Sequence, residues 1–167
     1  LPHTTPPMDA LRSCVSLLSV YDPDPASDTS EEANWRRCFR LMSKLPSVVA
    51  TFDRLRHGRE PVEPSPKLGL AANFLYQLTG QMPSDLSARA MDVGLILHAD
   101  YELNASTFAA RVTVATLSDL YSGITSGIGC LKGPLHGGAN QEVIKMLHEV
   151  GLLDRCESYI LEKLARK

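Results

Sequence analysis

The run "GPLHGGANQEV", Gly133 to Val143, sets one histidine, His136, between a Gly-Pro pair and a Gly-Gly pair, directly ahead of a helical pattern that reaches Gly151. Glycine permits turns and close approaches that other residues resist, so the ring sits where the chain bends hardest. A ring held at the start of a helix feels the positive end of the helix dipole, which disfavours imidazolium and favours a neutral N–H donor. Such a donor polarises a carbonyl oxygen without giving up a full proton. A plainer alternative stays open, in which the glycines make a tight turn and the histidine merely caps it. A second cluster, "LHADYELNASTFAARV", gathers His98, Asp100, Tyr101, Glu102 and Asn104 just ahead of another helical pattern. Taken alone it is an ordinary helix start, with Asn104 or Ser106 as the cap and two acids before the first turn. Of the other histidines, His3 and His57 fall at surface positions. His148 lies near the C-terminal end of an amphipathic pattern, where a cation is mildly favoured, and none of the three is given a role.

Helices must hold these two segments. Pro7 followed by Met8, Leu11, Val15 and Leu18 reads as a helix start with proline at a first-turn position. After the loop "DPDPASDTS", Thr29 with Glu32 has capping-box spacing, and Trp35, Phe39 and Met42 share one face of the helix that follows. Pro46 is expected to end or kink that helix, whose pattern resumes through Val49, Phe52 and Leu55 until Gly58 closes it. Residues 59–67, "REPVEPSPK", read as a stiff Pro-rich loop inside the domain. From Leu68 the pattern is helical almost without relief, with Ser84 as an expected cap. No run alternates with the period of a half-buried strand, and "RVTVAT" is the one β-prone piece, so the fold class is all-α in a single domain spanning 1–167. Helix 119–132 is crowded with Ser122, Gly123, Ser126, Gly127 and Gly129. Each interior glycine costs about 1 kcal/mol relative to alanine, which calls for a compensating close contact, either within the chain or between subunits.

At 167 residues, 44% hydrophobic and 22% charged, the chain suits one globular domain with a sizeable core, not a disordered tail. A formal net charge of -2 gives no footprint for nucleic acid or anionic lipid. Arg36, Arg37, Arg40, Lys44, Arg54, Arg56 and Arg59 form a locally basic stretch, expected on solvated helix faces. Cys14, Cys38, Cys130 and Cys156 make neither a CxxC pair nor a zinc pattern and read as reduced thiols of a cytoplasmic protein, with no metal site. No apolar run approaches the roughly eighteen residues of a membrane span, and "LPHTTPP" lacks the features of a signal peptide. Neither a nucleic-acid nor a membrane partner is expected. The sequence opens at Leu1 rather than Met, so residues upstream of it are expected.

The two clusters together change the reading. With "TPPMDALRSCVSLL" near the start, "LHADYELNASTFAARV", and "ATLSDLYSGITSGIGCLKGPLHGGANQEV", the whole chain resembles the citrate synthase family, including its 2-methylcitrate synthase branch. The resemblance implies an antiparallel helical bundle, the large domain of that family without its small domain. It implies a homodimer through helices 106–117 and 119–132, and condensation of acetyl-CoA with oxaloacetate to citrate and CoA, or of propionyl-CoA in the methylcitrate branch. The CoA thioester is then a substrate, and no resident cofactor is implied. His136 corresponds to the histidine that hydrogen-bonds the thioester carbonyl while the acetyl group becomes an enol. Leu135, Gly137 and Gly138 belong to the same substrate-binding turn, and His98, Tyr101 and Asn104 to the other substrate-binding segment. Where Tyr101 stands the family normally has a second histidine that binds oxaloacetate. Tyrosine still donates a hydrogen bond but cannot be cationic, so weaker affinity for a dicarboxylate is expected. The family's further catalytic histidine, its oxaloacetate-binding arginines and its proton-abstracting aspartate lie in segments that this sequence does not contain. Asp100 and Glu102 are near by sequence only and match no family base. The isolated chain is therefore expected to be inactive, the alternative being a truncated, non-catalytic relative that serves as a helical dimerisation or binding module.

Overall fold

The computed structural model describes residues 1–166, with Asn140 described by its backbone alone. Among the described residues the chain is all-helical, with no strand, as the sequence period requires. It divides into two compact units, Leu1–Gly129 and Cys130–Lys167.

In the first unit, α1 (Pro7–Leu18) opens on the expected proline and buries Ala10 and Val15. A short 3-10 turn, Ser19–Tyr21, leads into the acidic loop and then α2 (Glu31–Arg56). The cap of α2 is Ser30, not Thr29: Asp28 Oδ1 holds the Ser30 N–H at 3.0 Å, which turns the Ser30 hydroxyl oxygen to accept from Ala33 N at 3.2 Å. Glu31 and Glu32 then sit at the positive end of the dipole. Pro46 does not end this helix, which continues for ten residues beyond it. An interior proline costs about 3 kcal/mol through one missing N–H donor and a ring clash. Packing outweighs that cost, because Leu41 and Ala50 on either side are buried and α2 contacts α1 and α3.

One expectation for the arginines fails. Arg37 is 7% exposed, not solvated. Its guanidinium donates to Asp22 Oδ2 at 3.1 Å, to the Asp28 carbonyl at 2.7 Å and to the Pro25 carbonyl at 2.9 Å, so the loop between α1 and α2 wraps around it. Arg40 adds a bond to Asp22 at 2.6 Å and a shorter one to Asp24, and Arg36 reaches Asp24 at 2.8 Å. Charge count is legible in the residue types, but which helix face turns inward is decided by packing. Trp35, Phe39 and Met42 do share a face, with the Trp35 and Phe39 rings stacked at 6.0 Å, but it is the outward one.

Next, α3 (Leu70–Thr79) ends at Gly80, whose φ of 78° is the left-handed cap glycine allows. Then α4 (Asp85–Leu97) starts on the Ser84 cap, which accepts from Ser87 N at 3.1 Å. The β-prone "RVTVAT" lies in and just after α5 (Ala105–Ala115), where the neighbouring helix overrides a weak strand preference. Asp119 caps α6 (Leu120–Leu131) by accepting from Ser122 N at 2.9 Å, and Val15, Leu41, Tyr121 and Ile128 form a core shared by α1, α2 and α6. The crowded small residues are used within the chain: a Cβ on Gly123 would lie 2.6 Å from Val114 Cγ1, and one on Gly127 would lie 3.5 Å from the Ser106 carbonyl oxygen. Ser106 Oγ donates to the Gly127 carbonyl at 2.9 Å, and Thr113 Oγ1, whose one proton goes to the Ala109 carbonyl at 2.9 Å, accepts from Ser126 Oγ at 2.9 Å, which closes α5 onto α6.

The second unit takes up the last turn of α6, the turns over 132–137, α7 (Gly138–Val150), a 3-10 turn at Leu153–Arg155 and α8 (Cys156–Ala165). Gly151, with φ 71°, closes α7. Tyr159 Oη donates to Glu149 Oε2 at 2.6 Å and Lys163 Nζ to the same oxygen at 3.0 Å, pinning α8 to the end of α7. No helix among the described residues is long and apolar enough to cross a membrane.

Candidate active site

Residues 98–104 connect α4 to α5 in the first unit. His98 is the C-cap of α4, and its ring Nδ1 lies 2.7 Å from the Gly94 carbonyl oxygen. A carbonyl only accepts, so Nδ1 is the donor in this bond. The His98 and Tyr101 rings meet edge-to-face, with centroids 5.6 Å apart and planes at 67°. Asp100 Oδ1 accepts from Glu102 N at 2.8 Å, and Glu102 adopts φ 54°. Left-handed backbone at a residue that is neither Gly nor Asn is strained, and the Asp100–Glu102 bond spans the exposed Tyr101. Nothing in "DYELN" signals that conformation, since no glycine marks it. Of the two cap candidates, Asn104 serves: its Oδ1 accepts from Thr107 N at 2.9 Å. Its side-chain amide N–H groups are not consumed by the cap.

Residues 133–138 lie in the second unit. The Gly133 carbonyl accepts from both His136 N and Gly137 N at 3.0 Å, which folds residues 133–137 into a tight turn. Gly137 has φ -85°, a conformation open to any residue, yet a Cβ there would stand 1.9 Å from the Leu131 carbonyl oxygen. Space, not backbone angle, demands glycine at 137. Gly138 meets nothing within 4 Å and begins α7. His136 is half-buried and Leu135 fully exposed. Among the described residues no side chain caps α7. Its first-turn N–H groups and dipole therefore favour negative charge on an oxygen placed there. The structure thus gathers His98, Tyr101 and Asn104 in one loop, and Leu135, His136, Gly137 and Gly138 in another. Among the described residues no three His, Cys, Asp or Glu side chains cluster as a metal site would need.

The acidic loop around Arg37 carries the largest electrostatic perturbations. Burial pushes the Asp22 carboxyl up, but the Asp24 backbone N–H, the Tyr121 hydroxyl and the Arg40 and Arg37 guanidiniums together bring it below its ordinary value. Hydrogen bonds from Arg36 and Arg40 lower Asp24 to about 2. This network was not anticipated from sequence, and the one available signal was the alternation of aspartates at 22, 24 and 28 ahead of arginines at 36, 37 and 40.

Comparison with known proteins agrees along the entire length. The family model described as citrate synthase, C-terminal domain, matches residues 1–167. "Citrate synthase 2" of Bacillus subtilis (strain 168) is 56% identical over 161 residues, covering 96% of this chain and 43% of that protein. "Citrate synthase" of Deinococcus radiodurans is 46% identical over 167 residues, covering 100% of this chain and 44% of that protein. The crystal structure of citrate synthase from Thermotoga maritima MSB8 superposes with a TM-score of 0.76 at 34% identity, over 99% of this chain and 42% of that one. The chain spans less than half the length of each of these relatives.

Proposed function

Because this chain belongs to the citrate synthase family, we propose that it supplies part of an enzyme that condenses acetyl-CoA with oxaloacetate to give citrate and CoA. In this reading His136 donates a hydrogen bond to the thioester carbonyl oxygen while the acetyl group becomes an enol, the step at which that oxygen gathers negative charge. Leu135, Gly137 and Gly138 shape the turn that holds the ring, and the positive dipole end at the start of α7 favours the same charge. On the oxaloacetate side the Tyr101 hydroxyl donates to a carboxylate, with Asn104 offering its amide N–H and His98 alongside. No residue of this chain is assigned the removal of the methyl proton. Enolisation needs that base as well as the donor, so the isolated chain is inactive. The same reading takes 1–167 as one all-helical piece of the enzyme's large domain, working in the cytoplasm as a homodimer through α5 and α6.

The observation that supports it most is the turn at 133–137, where a glycine forced by the Leu131 carbonyl sets His136 at the mouth of α7. The test is thiol release from acetyl-CoA in the presence of oxaloacetate. The isolated 167-residue chain shows no turnover, whereas a full-length chimera, with this chain replacing the matching segment of the Bacillus relative, does. In that chimera His136→Ala lowers kcat about 10²- to 10³-fold, the loss of one oxyanion donor. An unchanged rate in His136→Ala refutes the assignment of His136.

A further inference from the structure

We propose that His98 is a positioning residue that acts through Tyr101, holding the phenol in the one orientation from which it can donate to the oxo acid. It rests on the reading of Tyr101 as an oxaloacetate contact. Three observations converge within one loop. The His98 ring is itself immobilised, because Nδ1 donates to the Gly94 carbonyl at 2.7 Å while the His98 backbone N–H bonds the same oxygen at 3.2 Å. That anchored ring meets the Tyr101 ring edge-to-face at 5.6 Å, a geometry in which one ring's positive edge faces the other's negative face. Tyr101 is otherwise exposed, and no other ring among the described residues stacks on it. A free tyrosine side chain rotates among rotamers, so affinity suffers unless something selects one before the ligand arrives. The bond from Glu102 N to Asp100 Oδ1 spans Tyr101 and restrains its backbone, and His98 restrains the ring beyond it. Tyrosine reaches farther than histidine and ends in a single hydroxyl, so its direction decides whether that hydroxyl meets a carboxylate at all.

Steady-state kinetics on the full-length chimera test this, with a double-substitution cycle. His98→Ala raises KM for oxaloacetate about two- to tenfold, the range of one aromatic pair. KM for acetyl-CoA and the thermal midpoint stay unchanged. His98→Phe keeps the ring contact without the Nδ1 anchor and gives a smaller rise, whereas His98→Asn keeps a polar donor without the ring and behaves like His98→Ala. In a Tyr101→Phe background the effect of His98→Ala vanishes, since no hydroxyl remains to be aimed. Persistence of the full His98→Ala effect in that background overturns the positioning role and leaves the Tyr101 reading intact. An unaltered KM in Tyr101→Phe alone overturns the Tyr101 reading, and this inference with it.

Discussion

Gly137 and Gly138 are one residue type in one turn, and the space around them differs. At 137 a methyl group would be driven into the Leu131 carbonyl oxygen at 1.9 Å, and backbone cannot swing aside as a side-chain tip can. Gly137→Ala is therefore expected to destabilise the chain by about 1–3 kcal/mol, as overpacking does. At 138 a methyl group meets nothing and the backbone is already helical, so Gly138→Ala is expected to stabilise by about 0.4–1 kcal/mol through a less flexible unfolded chain. Urea unfolding of the two variants separates the cases, and equal midpoints would remove the steric account of the turn. The sequence made both glycines look alike, because a Gly-Gly pair signals a bend without saying which member touches backbone. Asn104 was more legible, since a cap is a local interaction that the next three residues decide. Ser30 displaced Thr29 by one position because Asp28, outside the capping pattern, holds the Ser30 N–H.

Helical elements were read well where period alone decides, and poorly where the inward side had to be chosen. Trp35, Phe39 and Met42 recur on one face of α2, but periodicity says which residues are neighbours, not which side meets the core. The side was chosen by Arg37 and Leu41, which face the acidic loop and α1, and a buried arginine is tolerated there because three oxygens of that loop meet it. The knot makes a pH prediction at the level of this element. Asp22 and Asp24 are both lowered in the folded chain, Asp24 to about 2, so the folded state binds fewer protons than the unfolded state in the acid range. Their contribution is fully present above the ordinary aspartate value of 3.8 and is lost as pH falls from there through about 2. Thermal midpoints measured between pH 6 and pH 2 are expected to drop most steeply below about pH 4, and Asp24→Asn to lower the neutral-pH midpoint while flattening that drop. An acid drop of the same steepness in Asp24→Asn would show that the loop's aspartates do not carry it.

For the whole molecule, family membership brings the fold within reach from sequence, since all of 1–167 matches, but which surfaces stay free depends on the packing between helices. Helix α6 turns Gly123 and Gly127 of its small-residue face toward α5. The large apolar side chains that α5 turns outward are Phe108, 60% exposed, and Val112, 52% exposed, one helical turn apart. Two large apolar side chains at that spacing form a short ridge, and a ridge of this kind is removed from water when a symmetric copy packs against it. Burying one such side chain is worth about 1.5–3 kcal/mol, so removing two from an interface shifts a micromolar dimerisation equilibrium far toward monomer. Light scattering at micromolar concentration is expected to report a dimer for the unaltered chain and a monomer for Phe108→Glu combined with Val112→Lys, with helical circular dichroism retained in both. An unaltered chain that stays monomeric overturns the dimer, and a doubly substituted one that stays dimeric places the subunit contact elsewhere than the outward face of α5.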